Sequence, residues 1–421
     1  MSAFGRVTCP YVPATLSVLT RNRDFRNLFL AQLVVFGGDW FALIPLITLL
    51  QKLTGSGLPS ALALAADTAV GALMLPYAGT LADRLDRKKV MIAANMATIV
   101  AIGLLFAVRS ASMAWLGPAA IGLAAAAKSF YGPSASAALP NVVDPEDLPA
   151  ANALGGSAWG TMLVVGASLG GVVSARFSPY VCFAMTLVCL VGAAALVWRV
   201  RRPMQTDRDG AGAPPRTLAA IREALGYIRH RPRVLSLVTV KSAVGLGNGV
   251  LAAFPLLATV VFTIGPLGTG LLFAARGLGA LLGPLLLRRV LLRRSWLLPS
   301  LAVLMGVYGA AYIGVAVSPW FWLAVGLVCL AHMAGGGNWM MTNFALQIEV
   351  PDALRGRVMA TDLMVATLAV SASVLVIGAL VDHIDTRPLF AACGTVTLLY
   401  AIGWRLVTRR LMRSGAPVLA S

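Results

Sequence analysis

The chain has 421 residues, 58% of them hydrophobic and only 12% charged, about half the charge of a soluble chain of this size. A formal charge of +18 would suit a nucleic-acid partner, but the charge lies in short segments between long apolar runs, which excludes nucleic acid as its explanation. The five cysteines, at 9, 182, 189, 329 and 393, mostly sit in apolar runs and form neither a metal spacing nor a disulfide framework.

Taken in order, runs of about 20 apolar residues, the length a bilayer core requires, predict helices over 28–50, 60–82, 88–108, 112–134, 150–175 and 179–198. After a polar stretch they recur over 234–263, 267–290, 296–316, 319–345, 357–381 and 387–408. The first run is too long for the core of a cleavable signal, and none is expected. The fold class is an all-α membrane protein of twelve spans. Of the 34 Lys and Arg residues, only Lys52, Arg109, Arg176 and Arg387 fall in one alternate set of loops. With the residues at helix ends counted to the adjoining loops, Lys128, Lys241 and Arg276 remain within helices. The rest lie in the other loops and the two tails, so both termini are expected on the cytoplasmic side.

Residues 199–233 are the longest polar stretch. Asp207 to Pro215 reads as a flexible linker, and Leu218, Ile221, Leu225 and Ile228 recur at helical spacing, predicting a short amphipathic helix on the inner membrane surface. The organisation expected is a first six-helix bundle over 1–198, a linker over 199–233 and a second bundle over 234–421. Pro145-Glu146-Asp147-Leu148 before the fifth span returns as Pro351-Asp352-Ala353-Leu354 before the eleventh, at the offset that separates the first span from the seventh. This points to two parallel six-helix repeats around a central cavity.

Between the second and third spans lies Gly79-Thr80-Leu81-Ala82-Asp83-Arg84-Leu85-Asp86-Arg87-Lys88-Lys89. It resembles the loop of the major facilitator superfamily with the form G-x-L-A-D-R-x-x-R-K-K, departing from it at Asp86, where the family has Gly. The second repeat holds a degraded copy from Gly283, without its Asp. The resemblance implies a secondary transporter working by alternating access. It also implies that the loop docks against the inner end of the eleventh helix. Gly79, Asp83, Arg84 and Arg87 are then expected to form a conformational latch with Asp362, Asp83 meeting the positive end of that helix and Arg87 pairing with Asp362. Read alone, Asp362 is equally an N-terminal capping charge.

Gln32 and Asp39 share a face of the first span, and a carboxylate inside a membrane helix is costly and marks function by default. Arg26-Asn27-Leu28-Phe29-Leu30-Ala31-Gln32, followed by Gly38-Asp39-Trp40, looks like the first helix of macrolide-efflux-type drug:proton antiporters. The alternative is a permanent structural pair between Asp39 and a buried cation. Asp67 faces either a cavity or the outer headgroups. Lys128-Ser-Phe-Tyr131-Gly132 resembles the superfamily motif R-x-x-Q-G, linked there to proton movement, with Lys and Tyr as departures; plain snorkelling of Lys128 from the inner end is the alternative. In the fifth span, Gly156 and Gly160, then Gly166, Gly170 and Gly171, are spaced for close helix packing, and the second run resembles the antiporter motif G-P-x-x-G-G with Ala167 for Pro. The same letters match G-x-S-x-G, but a nucleophile elbow needs a strand-turn-helix setting.

Lys241, Asn248 and Pro255 form a stripe on the seventh span, and His332, Gly336, Trp339 and Asn343 form another on the tenth. Arg276 lies in the eighth. The superfamily resemblance implies that the first, fourth, seventh and tenth helices line the cavity, which places Gln32, Asp67, Tyr131, Asn248, Arg276, His332, Trp339 and Asn343 as cavity residues. Equally, polar stripes can be interhelical hydrogen bonds, the favoured role for His332. Asp39, Lys128 and Lys241 are expected to handle the proton, Lys241 reaching Asp39 across the two halves.

No P-loop, H-E-x-x-H or Cys/His metal cluster is present, so neither a cofactor nor a metal nor an enzymatic activity is expected. The expectation is a proton-coupled exporter of amphipathic or cationic small molecules such as drugs, monomeric, in a bacterial inner membrane, with protons and lipid as its other partners. Rival readings are a dedicated metabolite or siderophore exporter of the same fold, and a polytopic membrane enzyme, which the short bare outer loops disfavour.

Overall fold

The computed structural model describes residues 12–205, 217–291 and 297–413. Twelve long helical spans are found there, close to the apolar runs but longer at their charged ends. They begin with α2 (Arg23–Thr54), α3 (Leu58–Arg84), α4 (Arg87–Leu104), α5 (Leu116–Val142), α6 (Leu148–Arg176) and α7 (Pro179–Trp198). The second set is α9 (Pro232–Gly247), continued by α10 (Phe254–Leu256), then α11 (Pro266–Leu291), α12 (Leu297–Val317), α13 (Phe321–Glu349), α14 (Asp352–Leu380) and α15 (Thr386–Arg413). Two shorter helices accompany them. The linker helix α8 (Thr217–Arg229) is where the amphipathic stripe predicts one, whereas α1 (Val12–Arg21), in the polar N-terminal tail, was not anticipated. Ten of the spans are apolar and long enough to cross a bilayer by composition alone; α5 dilutes its run with Gly, Ser and Pro, and the described part of α6 is apolar over Gly160–Arg176.

Local chemistry fixes the ends. The Asn22 side chain accepts from the Phe25 amide to start α2, and Gly55, at φ 67°, closes it by donating to Gln51 O; only Gly takes that conformation without strain. Asp86 caps α4 by accepting from the Lys89 amide at 3.1 Å, which gives a physical role to the carboxylate that departs from the superfamily loop.

The packing repeats. In the first set α2 lies against α6 and α7, α3 against α5, and α4 against α5 and α7. In the second set α9 lies against α14 and α15, α11 against α13, and α12 against α13 and α15. Each pair in one set has its counterpart six spans later, as two parallel repeats require. The two sets meet along two seams, α3 with α14 and α6 with α11, which exchange under the same repeat.

Both seams start at the end of the bundle away from the chain termini. On the first, the Gly57 amide donates to Asp382 Oδ1 at 2.7 Å, Ser56 Oγ bonds the other oxygen of that carboxylate, and further in Thr68 Oγ1 and Ser371 Oγ are 2.7 Å apart. On the second, a Cβ at Gly171 would lie 3.1 Å from Gly270 Cα, and one at Gly160 would lie 3.4 Å from Leu281 Cβ.

The seventh span is not the continuous helix predicted over 234–263. After α9 the chain tightens into a 3-10 turn over Asn248–Ala253 and widens into a π turn over Leu257–Val261. Pro255 offers no N–H to the preceding turn. Gly249 brings the backbone against α14, where a Cβ would lie 2.7 Å from Ile377 Cγ1. Ser373 Oγ donates to Leu246 O, and Asn248 Nδ2 donates to Val244 O at 2.8 Å. Such a break is tolerated at membrane depth because it is buried in protein.

Candidate functional site

Three charges that the sequence scatters over the first, second and fourth spans converge. The Lys128 ammonium on α5 lies 2.9 Å from Asp39 Oδ1 on α2 and 3.2 Å from Asp67 Oδ1 on α3. The three side chains are 16%, 24% and 23% exposed, so the set is neither sealed in the core nor on the surface. Asp67 is therefore not at the headgroups, and Lys128 does not snorkel: α5 runs on to Val142, which puts the ammonium well inside the span. Two carboxylates share one ammonium, so the trio carries one net negative charge when all three are ionised. A charged group in an apolar helix is tolerated only with such partners. Gln32, on the Asp39 face of α2, is half-buried, and Tyr131, one turn beyond Lys128, is fully buried.

Lys241 does not approach Asp39. It is 1% exposed and pairs with Asp362 of α14. It also donates to Asn343 Oδ1 of α13 at 2.6 Å and lies 4.8 Å from the centre of the Trp339 ring. The expected reach of Lys241 to Asp39 fails because, within its own half, α14 packs on α9 and supplies a nearer carboxylate. Asp362 is likewise neither a helix cap nor a partner of Arg87: it lies inside α14, 1% exposed.

Arg87 instead donates to Ala137 O at 2.8 Å and to Met204 O at 3.0 Å. Lys88 donates to Val200 O at 2.9 Å, and Asp24 accepts the amides of Arg201 and Arg202 at 3.0 and 3.1 Å. The basic loop thus ties down the end of α5 and the strand of chain leaving α7, all within one half. The side chains of Gly79, Asp83, Arg84 and Gly156 lie outside the described residues.

Of the other cavity candidates, His332 is buried, with Nε2 2.7 Å from the Tyr312 hydroxyl and its ring edge-on to Tyr308 at 5.4 Å. This fits the structural role favoured for it. Asn248 serves the helix break. Arg276 on α11 stacks its guanidinium 5.3 Å from the Trp40 ring centre, and Phe273 lies 5.9 Å from the same ring, so the second half grips the residue beside Asp39.

The glycines of α6 divide by face. A Cβ at Gly166 would lie 3.2 Å from Trp40 Cβ and one at Gly170 would lie 3.0 Å from Phe41 O, both on α2 of the same half. Gly160 and Gly171 face α11 of the other. Reading from sequence missed Asp382, Thr68 and Ser371. Asp382 carried a signal, as the first carboxylate after an apolar span; the two hydroxyls carried none.

Residues 28–365 match the Major Facilitator Superfamily. The chain is similar to uncharacterized MFS-type transporters of Mycobacterium bovis and Mycobacterium tuberculosis, 29% identical over 379 residues that cover 82% of this chain and 81% of each relative. Among solved structures, it resembles a bacterial homologue of the human lysosomal transporter Spinster in an inward-facing, unoccupied conformation. There the TM-score is 0.70 at 15% identity, covering 94% of this chain and 99% of that one. It also resembles a POT family transporter in complex with a thioalcohol-conjugated peptide, with a TM-score of 0.73 at 11% identity, covering 93% and 96%. At those identities the likeness is one of fold. With the matched span, the repeated packing and the polar trio together, the chain is a multi-pass membrane transporter that belongs to the Major Facilitator Superfamily.

Proposed function

We propose that this transporter is a proton-coupled exporter of amphipathic or cationic small molecules, with both termini in the cytoplasm of a bacterial inner membrane, and that Asp39, Asp67 and Lys128 are its coupling site. The observation that carries the proposal is the convergence of charges: two carboxylates share one ammonium at a partly exposed position inside the spans. Either carboxylate can take up a proton or seat a substrate cation, and the two compete for it. Exchange follows when binding of one displaces the other, each binding preferentially to a different orientation of the halves. The closed seams at the end away from the termini fit a transporter open to the cytoplasm, the side from which an exporter loads. The basic loops and tails clustered at the terminal end support that orientation.

The test is transport by purified protein in liposomes with an imposed pH gradient, using ethidium and tetraphenylphosphonium as probes. The parent moves both probes against their gradients, and the movement stops when a proton carrier collapses the pH difference. Asp39→Asn keeps the size and hydrogen bonding of the side chain but cannot titrate, and it abolishes accumulation against a gradient while inserting normally. If Asp39→Asn accumulates the probes like the parent, Asp39 is not the coupling group. If the parent moves neither probe, a dedicated metabolite exporter becomes the better reading.

A further inference from the structure

We infer that Arg276 is the fourth member of this charge set, and that it is the positioning residue through which the ionisation of the trio is passed to the seam between the two halves. The inference rests on the coupling role proposed above for Asp39, Asp67 and Lys128. Its basis is where the four groups sit. Asp39, Asp67 and Lys128 belong to α2, α3 and α5, which pack within the first half. Their mutual distances are therefore set by that half and change little when the halves move. Arg276 comes from α11 of the second half, yet its guanidinium lies 5.3 Å from the ring centre of Trp40, the residue that follows Asp39 on α2. The next residue, Gly277, is in the α6 seam, where a Cβ would lie 2.8 Å from Leu163 Cγ. Arg276 thus stands where the trio, Trp40 and the seam meet.

The four charges balance when all are ionised: two carboxylates against Lys128 and Arg276. Protonating one carboxylate, or seating a substrate cation on it, leaves an excess positive charge. Lys128 cannot relieve that excess by moving, since it is held in the same half. Arg276 can, by withdrawing with the second half, and that withdrawal opens the seams at the end away from the termini. Tyr308 and Tyr312 on α12 and His332 on α13 are titratable groups near enough to Arg276 to act on its charge. All three belong to its own half. The groups facing Asp39 are Lys128 and Asp67.

Hydrogen exchange tests this on the intact purified protein in lipid nanodiscs, at mildly acidic and mildly alkaline pH, corrected for the intrinsic pH dependence of amide exchange. The readout is protection of segments 54–62 and 376–384, which close the end away from the termini. In the parent, protection falls at acidic pH, by about fivefold for a coupling of ordinary size. In Arg276→Gln it is low at both pH values and the difference disappears, whereas Arg276→Lys retains most of it. His332→Gln behaves as the parent. A parent-like pH response in Arg276→Gln overturns the inference, as does loss of the response in His332→Gln alone. Asp39→Asn separates the two levels. If it loses the response while Arg276→Gln keeps it, the coupling site stands and only the role of Arg276 falls. If both variants respond like the parent, the coupling site falls as well.

Discussion

The Gly57 amide donates to the Asp382 carboxylate over 2.7 Å, so a carboxylate just beyond the end of α14 caps the start of α3 in the other half. This is an N-cap made across the interface between the two six-helix sets. It satisfies one orphan amide of α3 and places a negative charge at the positive end of that helix. It can form only while this end of the bundle is closed, because at Gly57 a side chain would run into Val381. Asp382→Asn keeps the shape and loses the charge. Because Asp382 lies at an exposed end, the loss is about 1 kcal/mol, a roughly fivefold shift towards the open end. Accessibility of a cysteine placed at Ser56 in a variant without exposed native cysteines measures it: labelling is expected to be faster in Asp382→Asn than in the parent.

The two faces of α6 predict opposite outcomes for similar substitutions. Gly171→Val adds bulk against Gly270 of the other half. It is expected to leave each half folded and to hold the α6–α11 seam apart, raising exchange at that end with little change in unfolding temperature. Gly166→Val drives bulk into Gly37 and Trp40 of its own half, with no freedom to yield except by moving α2. It is expected to lower the unfolding temperature and to displace Asp39. Scanning fluorimetry beside hydrogen exchange separates the two. Equal loss of stability in both variants would mean that the seam is as rigid as the core.

The pair Lys241–Asp362 is expected to matter for stability rather than coupling. Removing one partner of a buried ion pair leaves the other uncompensated, at a cost of about 3–5 kcal/mol. Lys241→Met should therefore unfold at markedly lower temperature than the parent, and Lys241→Met with Asp362→Leu should recover most of the loss. The pH profile of transport in the double variant is expected to match the parent. A changed profile would return Lys241 to the coupling machinery.

The twelve spans and the two repeats were legible because a bilayer imposes length, apolarity and charge asymmetry on any chain that crosses it. Each member of the trio was legible by itself, as a lone charge in an apolar run. Their convergence was not, because which faces of α2, α3 and α5 meet is decided by packing between helices, and no spacing along one helix encodes it. The same gap misplaced Lys241. Offsets between repeats give its height in the membrane but not its neighbours, and Asp362 on α14 was nearer. The break after α9 left a partial trace in Pro255, yet proline is common in membrane helices, and the deciding contact, Ser373 on Leu246 O, joins two apolar spans. Thr68 and Ser371 had no signal at all: hydroxyls in such helices usually bond the preceding turn, as both also do here.

Lys128 is the one cation held by both carboxylates, and substituting it should hurt more than substituting either of them. With Lys128→Met, Asp39 and Asp67 are left facing each other in a poorly solvated site, two like charges without the ion that separates them. One of them must then take up a proton or the helices must part, so the variant is expected to be less stable than Asp39→Asn and to lose pH-driven transport. Lys128→Arg restores the charge but replaces a compact ammonium by a planar fork. Arg also stands at this position in the superfamily motif that the span resembles. It is expected to keep the fold and to transport, with a rate lowered by about tenfold if the changed geometry weakens the decisive contact by 1.4 kcal/mol. Adding Asp39→Asn to Lys128→Met removes one of the two facing charges and should recover stability without recovering transport. The measurements are unfolding temperature and probe accumulation on the parent and the four variants side by side. If Lys128→Met is as stable as the parent and still transports, the ammonium does not hold the two carboxylates together, and the site is not the charge set described above.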